Sequence, residues 1–358
     1  MSIVFVAGAT GVIGRATVPT LLAAGYDVRA LSRSAANDAV IRDLGAVPVR
    51  SNLFDLVALT EAVAGTDAIL HLATRIPPVS RIRRAESWRE NDRIRSEGTH
   101  NLVAAATSAE IRTIVYPSIV YVYPDHGSDW IEAVSTPIDP APLLRSTIAA
   151  EDAVLGFAAA APTNERRGIV LRFGQLYGPN DSGTRELMKF ARRGISIFGG
   201  APDAYIPMLW VEDAATALLA ALDRAPTGVY DVVDNEPIRQ RQFASALAAA
   251  TGRRRLLPLP RWLIRRATGV AGAWLLRSRR ISNRRFREAT GWSPSVPSVI
   301  AGLAHIAAHR QPEPPPVAPI RIGLGVLFLI FLGGRIWRQR FPRPSSGRNR
   351  FVSARSHR

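Results

Sequence analysis

The first pattern in the chain able to do chemistry is Gly8-Ala-Thr-Gly11-Val-Ile-Gly14, set directly between a β-rich run and an apolar-periodic helix. In that setting Gly8 permits a tight turn, Gly11 lets backbone approach a pyrophosphate, and Gly14 lets helix and strand pack closely. The helix N-terminus adds free N–H groups and a positive dipole end. A dinucleotide site follows, with Gly8, Thr10, Gly11, Val12, Ile13 and Gly14 around its phosphates. Enzymes that use NAD commonly place an acid at the end of the second strand, on the ribose 2′-hydroxyl. Here that place reads Leu31-Ser32-Arg33. An acid would repel a 2′-phosphate, whereas the planar fork of Arg33 suits one. Ser32 and Arg33, assisted by Arg15, therefore point to NADP rather than NAD. The competing reading of Arg33 is a solvated surface residue.

The elements that must position this loop alternate. Strands are expected at Ser2 to Ala7, Tyr26 to Leu31, Ala46 to Val49, Ala68 to Leu72, Thr113 to Tyr116 and Gly168 to Phe173, with helical patterns between them. Alternation of this kind means an α/β fold, a Rossmann-type doubly wound parallel sheet. Residues 1–175 form its dinucleotide-binding core. The pattern then becomes irregular, and residues 176–310 are expected to be mainly a smaller C-terminal lobe on the substrate side, with some elements returning to the core. Residues 311–320 read as a proline-rich linker and 321–358 as an apolar segment with a basic tail.

Composition excludes several classes. The 358 residues contain no cysteine, which rules out a disulfide-stapled fold and thiolate metal sites. The six histidines show no ligand spacing, so no metal is expected. The net charge of +17 is regional: residues 253–287 hold twelve arginines and 314–358 nine, with no acid in either stretch. The first 252 residues therefore lack the basic field of a nucleic-acid binder. The N-terminus has no signal-peptide pattern, so a cytoplasmic protein is expected. Lys189 is the sole lysine, and any mechanism needing one has a single candidate.

The chain resembles the NAD-dependent epimerase/dehydratase family, the extended branch of the short-chain dehydrogenase/reductases, over roughly residues 1 to 308. The resemblance rests on Gly8-Ala-Thr-Gly11-Val-Ile-Gly14, His71-Leu-Ala-Thr74, Gly98-Thr-His-Asn101, Ser118 to Pro124, Leu171-Arg-Phe, Tyr177-Gly-Pro179, Val211-Glu-Asp213 and Gly291-Trp-Ser-Pro294. It implies that Asn52 and Leu53 contact adenine, with Asn where Asp is customary. It implies also that Leu72, Ala73 and Thr74 line the cofactor ribose and that Tyr177 lies on the loop closing over the nicotinamide. Asp213 looks like a structural residue of the family.

The family's oxidoreductases and epimerases use a Tyr-x-x-x-Lys pair, in which lysine lowers the tyrosine pKa so that the phenolate exchanges a proton with a substrate hydroxyl. Aligning Ser146 and Glu151 with that pattern puts Leu143 at the tyrosine position and Thr147 at the lysine position. None of the seven tyrosines is followed four residues later by Lys or Arg. The family's catalytic Ser/Thr falls on Ile119, with Ser118 one residue earlier. Ser118, Tyr121 and Tyr123 remain as polar candidates near the nicotinamide, each with ordinary packing as the competing reading.

Arginines around Trp262 to Arg287 either bind a substrate phosphate or flank an amphipathic helix. Ile322 to Gly334 is uncharged over thirteen residues, too short to span a bilayer, and eight arginines follow. Peripheral contact with an anionic membrane through 321–358 is one reading. Packing on the protein or disorder is the other. The leading expectation is an atypical NADP-binding oxidoreductase or epimerase acting on a small organic or nucleotide-linked substrate. Its rivals are a non-enzymatic NADP-binding sensor or partner-binding module and a redox-neutral lyase or cyclase.

Overall fold

The computed structural model describes residues 2–77, 84–162, 165–197, 201–259 and 276–309. Seven strands form one parallel sheet: β1 (Ile3–Ala7), β2 (Asp27–Ser32), β3 (Val47–Arg50), β4 (Ala68–His71), β5 (Thr113–Ile119), β6 (Arg167–Phe173) and β7 (Gly228–Val232). Their spatial order is β7-β6-β5-β4-β1-β2-β3. It reverses between β1 and β4, the switch point beyond whose strand ends such sheets bind ligands. The six strands expected from sequence are present within two or three residues of their expected bounds. The seventh lies within the stretch read as irregular.

β1 shows why both faces are covered. Val4 and Val6 pack with helix α1 (Val12–Ala23) and the crossover helix Val211–Arg224, through Val18, Leu21, Ala214 and Leu218. Phe5 and Ala7 face the helices Leu56–Val63, Thr99–Ser108 and Arg145–Ala159, meeting Leu59, Leu102 and Val154. Side chains two apart share a face, so a continuous apolar run buries itself on both sides. Truncating Phe5, which is 0% exposed, to Ala removes about 3–5 kcal/mol.

Helix Arg145–Ala159 carries Thr147, with Leu143 in the short turn Pro142–Leu144 just before it, and Gly168 sets the height of the helix over the sheet. A Cβ at Gly168 would lie 2.0 Å from the Val154 carbonyl oxygen, so only glycine lets strand and helix meet there.

Beyond β6 the chain builds a separate apolar cluster from Tyr177, Met188, Ile206, Trp210, Phe243, Leu247, Val299 and Leu303. Short strand pairs frame it: Gln175–Tyr177 runs parallel to Met208–Trp210, and Tyr205–Ile206 antiparallel to Ile238–Arg239. The described residues all fall within one compact unit. The expected linker, the apolar segment and basic tail, and residues 260–275 of the arginine-rich stretch lie outside the described residues. Among the described residues no helix is long and apolar enough to cross a membrane.

Candidate cofactor cleft and active site

The glycine loop is shaped by close approaches. Gly8 has φ +99°, and a Cβ there would lie 2.6 Å from both the Leu72 carbonyl carbon and the Ala73 nitrogen. The loop is thus pressed on the backbone after β4, which brings Gly8, Leu72 and Ala73 together. A Cβ at Gly14 would lie 2.3 Å from the Gly8 oxygen, so α1 starts directly against the turn. The next two helices close their first turn with a side chain: Ser34 accepts from the Asn37 N–H at 3.2 Å, and Asp55 from Ala58 at 3.1 Å. At α1 the residue in that place is Gly11, no side chain caps the turn, and no acid lies in it. Its N–H groups remain for an anion. Arg15 donates to the Thr10 carbonyl at 3.0 Å, fixing the loop rather than reaching outward.

At the end of β2, Ser32 is buried, its hydroxyl donating to the Asp38 carboxylate and to the Ser34 carbonyl at 3.2 Å. Arg50 grips Asp38 at 2.7 Å and, ahead of Ser32, holds that carboxyl below its usual range. An acid thus lies at the strand end after all, six residues later at Asp38, but it is taken up by Ser32 and Arg50. No sequence signal beyond its place in the next helix marked it. Arg33 stays half exposed, 3.8 Å from Glu90, which also pairs with Arg75 at 2.9 Å. Asn52 accepts from the Phe54 N–H at 3.1 Å, and Leu53 is held by Asn101, which donates to its carbonyl at 2.9 Å. Thr74 and Val12 are exposed, whereas Ile13 packs on the core.

Two of the three candidate proton-handling residues, Ser118 and Tyr123, sit in a buried polar chain. Ser118 donates to Glu151, whose carboxylate takes two bonds from Arg172, at 3.1 and 2.6 Å. Arg172 also donates to the Tyr123 hydroxyl at 2.8 Å, and Tyr123 donates to Asp231 at 2.9 Å. The chain ties β5, helix Arg145–Ala159, β6 and β7 together. Burial pushes the Tyr123 phenol up, with Asp231 adding to it against Arg172. Burial likewise raises Asp231 to about 7, against the pull of Arg172 and Tyr123. Tyr121 donates to Gln175 at 2.5 Å beneath the Arg279 guanidinium, and burial pushes it to about 12. These shifts run opposite to what a phenolate base needs. Tyr177 is buried and bonded to Asp234. At the family's pair, Leu143 is half-buried and Thr147 buried, the latter accepting a bond from Arg95.

Several arginines of the basic stretch are engaged internally. Arg279, 1% exposed, donates to the Tyr123 carbonyl at 3.1 Å, and Arg277 pairs with Asp139 at 2.9 Å. Asp213 accepts from the Ser295 N–H at 2.7 Å and the Val296 N–H at 3.0 Å, fixing a turn. Among the described residues no group of His, Asp and Glu is placed to hold a metal ion. Sequence reasoning missed Glu151, Arg172 and Asp231 as one network, and Arg95 entirely.

A glycine turn between β1 and an uncapped α1, at the switch point of a seven-stranded parallel sheet, defines a dinucleotide-binding fold of the short-chain dehydrogenase type. The chain belongs to the NAD dependent epimerase/dehydratase family, whose model matches residues 4–232. It is 32% identical over 321 residues to the 3-diazoavenalumate denitrifying reductase of a Streptomyces species, covering 84% of this chain and 98% of that one. It is 24% identical over 251 residues to the Dictyostelium discoideum sterol-4-alpha-carboxylate 3-dehydrogenase, decarboxylating, covering 68% and 74%. Among solved structures, human epimerase family protein SDR39U1 (isoform 2) with NADPH superposes with TM-score 0.72 at 25% identity, covering 86% of this chain and 100% of that one.

Proposed function

We propose that this chain is an NADPH-dependent reductase that delivers hydride to a small organic substrate whose reduction needs no tyrosine proton donor. The observation that carries this reading is the buried Thr147 at the lysine position with Leu143 at the tyrosine position, beside an intact glycine loop. Gly8 to Gly14 and Arg33 hold the cofactor, with Leu72 to Thr74, Asn52 and Leu53 along its length, whereas Tyr177, which the resemblance put over the nicotinamide, is packed into the second apolar cluster. The Streptomyces relative, by its name, reduces a diazo acid with loss of nitrogen. In that class of reaction the nicotinamide hydride forms a C–H bond as the C–N bond breaks. The bonding pair leaves with dinitrogen, and NADPH becomes NADP+. A diazonium carbon brings its own leaving group, so no oxygen awaits a proton and no Tyr-x-x-x-Lys pair is required.

A second reading, a non-enzymatic NADP-binding module, is favoured by the enclosure of Ser118 and Tyr123 within an ion-pair network. Single-turnover assays with NADPH deuterated on one face of the ring, against an arenediazonium carboxylate and a panel of ketones, separate the two. Face-specific transfer of deuterium to the arene carbon supports the reductase. Tight NADPH binding with no transfer to any substrate supports the module. Placement in the cytoplasm and a peripheral membrane contact through 321–358 belong to the same reading and rest on sequence alone.

A further inference from the structure

Arg95 lies in a π-helical turn, Ile94–Gly98, between the helices Arg89–Arg93 and Thr99–Ser108. Such a turn carries an extra residue, re-aims the side chains around it and is frequent at functional sites. Here Arg95 is turned inward and is 2% exposed. One of its terminal nitrogens donates to the Thr147 hydroxyl, while its Nε has no partner. Among the described residues no Asp or Glu forms an ion pair with it. A buried guanidinium is ordinarily paired, and this one has no carboxylate in direct contact.

Its surroundings repeat the pattern. Asn91, one helical turn earlier and 1% exposed, has an Nδ2 without a partner. Tyr116, buried on β5, has a hydroxyl without one; Arg95 and, in the opposite sense, Glu151 act on it, and Arg95 acts also on His71 at the end of β4. His71 is driven down to about 4 by burial first and by Arg95 second, so it stays neutral and brings no opposing charge. Unsatisfied donors and one unpaired cation therefore gather toward the carboxyl ends of β4 and β5. That is the half of the crevice across the switch point from β2, where the second nucleotide of a dinucleotide lies.

We infer that Arg95 places a fixed positive charge at the nicotinamide end of the cofactor, entering from the helix after β4 at the point where Thr147 stands in place of a lysine. The inference rests on the NADPH reading above. The nicotinamide ring is neutral in NADPH and cationic in NADP+, so a fixed charge beside it selects the reduced form and expels the spent one. Arg95 thereby sets which redox state the cleft retains.

The test needs no substrate. NADPH and NADP+ are titrated into the full chain at one salt concentration, for wild type, Arg95→Lys, Arg95→Gln and the double variant Arg95→Gln/Thr147→Lys. Wild type is expected to bind NADPH at least about fivefold more tightly than NADP+. Arg95→Lys keeps that ratio, and Arg95→Gln lowers it by about fivefold, chiefly by tightening NADP+. The double variant restores it. A merely structural role weakens both forms alike in Arg95→Gln, and that result overturns the inference. Equal wild-type affinities overturn it as well, and this reading stands even where Arg95→Gln does not fold. A wild type that binds no NADPH overturns the functional reading and this inference together, whereas NADPH binding with an unmoved ratio overturns the inference alone.

Discussion

Tyr177 donates its hydroxyl to Asp234 at 3.0 Å, and the absence of a side chain at Gly302 makes the contact possible: a Cβ there would lie 2.4 Å from the tyrosine ring. Asp234 is 4% exposed, and its second oxygen has no partner. Burial raises its carboxyl to about 7, with the Tyr177 bond opposing and Asp213 adding.

A pH dependence of stability follows from that carboxyl. In the unfolded chain it ionises near pH 4, whereas the folded protein holds its proton to about pH 7. The contribution is therefore lost as pH rises from about 4 to 7, and the ionised form is destabilised by roughly 4 kcal/mol at pH 8. Asp234→Asn, whose carbonyl still accepts from Tyr177, is expected to raise Tm relative to wild type more at pH 8 than at pH 5. An equal change at both pH values counts against the assignment.

The buried ion pair gives a second expectation. Arg172→Met leaves the Glu151 carboxylate buried without its two guanidinium bonds, and urea unfolding should show a loss of about 3–5 kcal/mol. Adding Glu151→Leu removes the unpaired charge, so the double variant should recover much of that loss. A double variant as unstable as the sum of its parts would refute a paired role.

Cofactor choice is read at Arg33. Losing one charge-assisted phosphate contact costs about 1.5–3 kcal/mol, so Arg33→Asp should abolish or reverse a preference for NADPH over NADH. Calorimetry at one stated salt concentration measures it. Unchanged affinities for both would place the phosphate elsewhere, with Arg50 the next residue to replace.

Proton handling has its own series. Dehydrogenase activity on simple secondary alcohols is expected to be very weak, and Leu143→Tyr with Thr147→Lys should leave NADPH binding intact. Reductase turnover should persist within about threefold in Tyr121→Phe and Tyr123→Phe, because neither phenol is needed as a donor. A hundredfold loss in kcat at either position, or in Ser118→Ala, would restore that side chain as the proton-handling group.

The basic tail is tested with vesicles. If 321–358 docks on membranes, the full chain should co-sediment with anionic vesicles and release as salt rises. A chain ending at Pro314 should remain in solution, and equal sedimentation of both would remove the tail from the account.

The cofactor side was legible because each step is local. A β-branched run, three spaced glycines and Leu31-Ser32-Arg33 carry their meaning within a few residues of one another. The reacting end was not. Ser118, Glu151, Arg172 and Asp231 meet from separate strands and a helix, and nothing in their neighbours announces it. Arg95 stands among Arg89 and Arg93 on an arginine-rich helix, and only the turn at Ile94–Gly98 separates it from its solvated neighbours. β7 is one of the elements expected to return to the core, but its bounds are not legible because Asp231 interrupts its apolar run, and that acid is buried only because Tyr123 and Arg172 stand beside it.

β7 lies parallel to β6, yet more than fifty residues separate them, including the crossover helix Val211–Arg224. A nascent chain that has emerged only as far as Phe173 therefore carries an open β6 edge, with Ile169 and Leu171 not yet covered by the crossover helix, and must wait for residue 232 before the sheet closes. The nucleotide-binding half is for this reason not an excisable module. A fragment cut at residue 175 would keep every glycine of its loop and still present a sticky edge to its own copies.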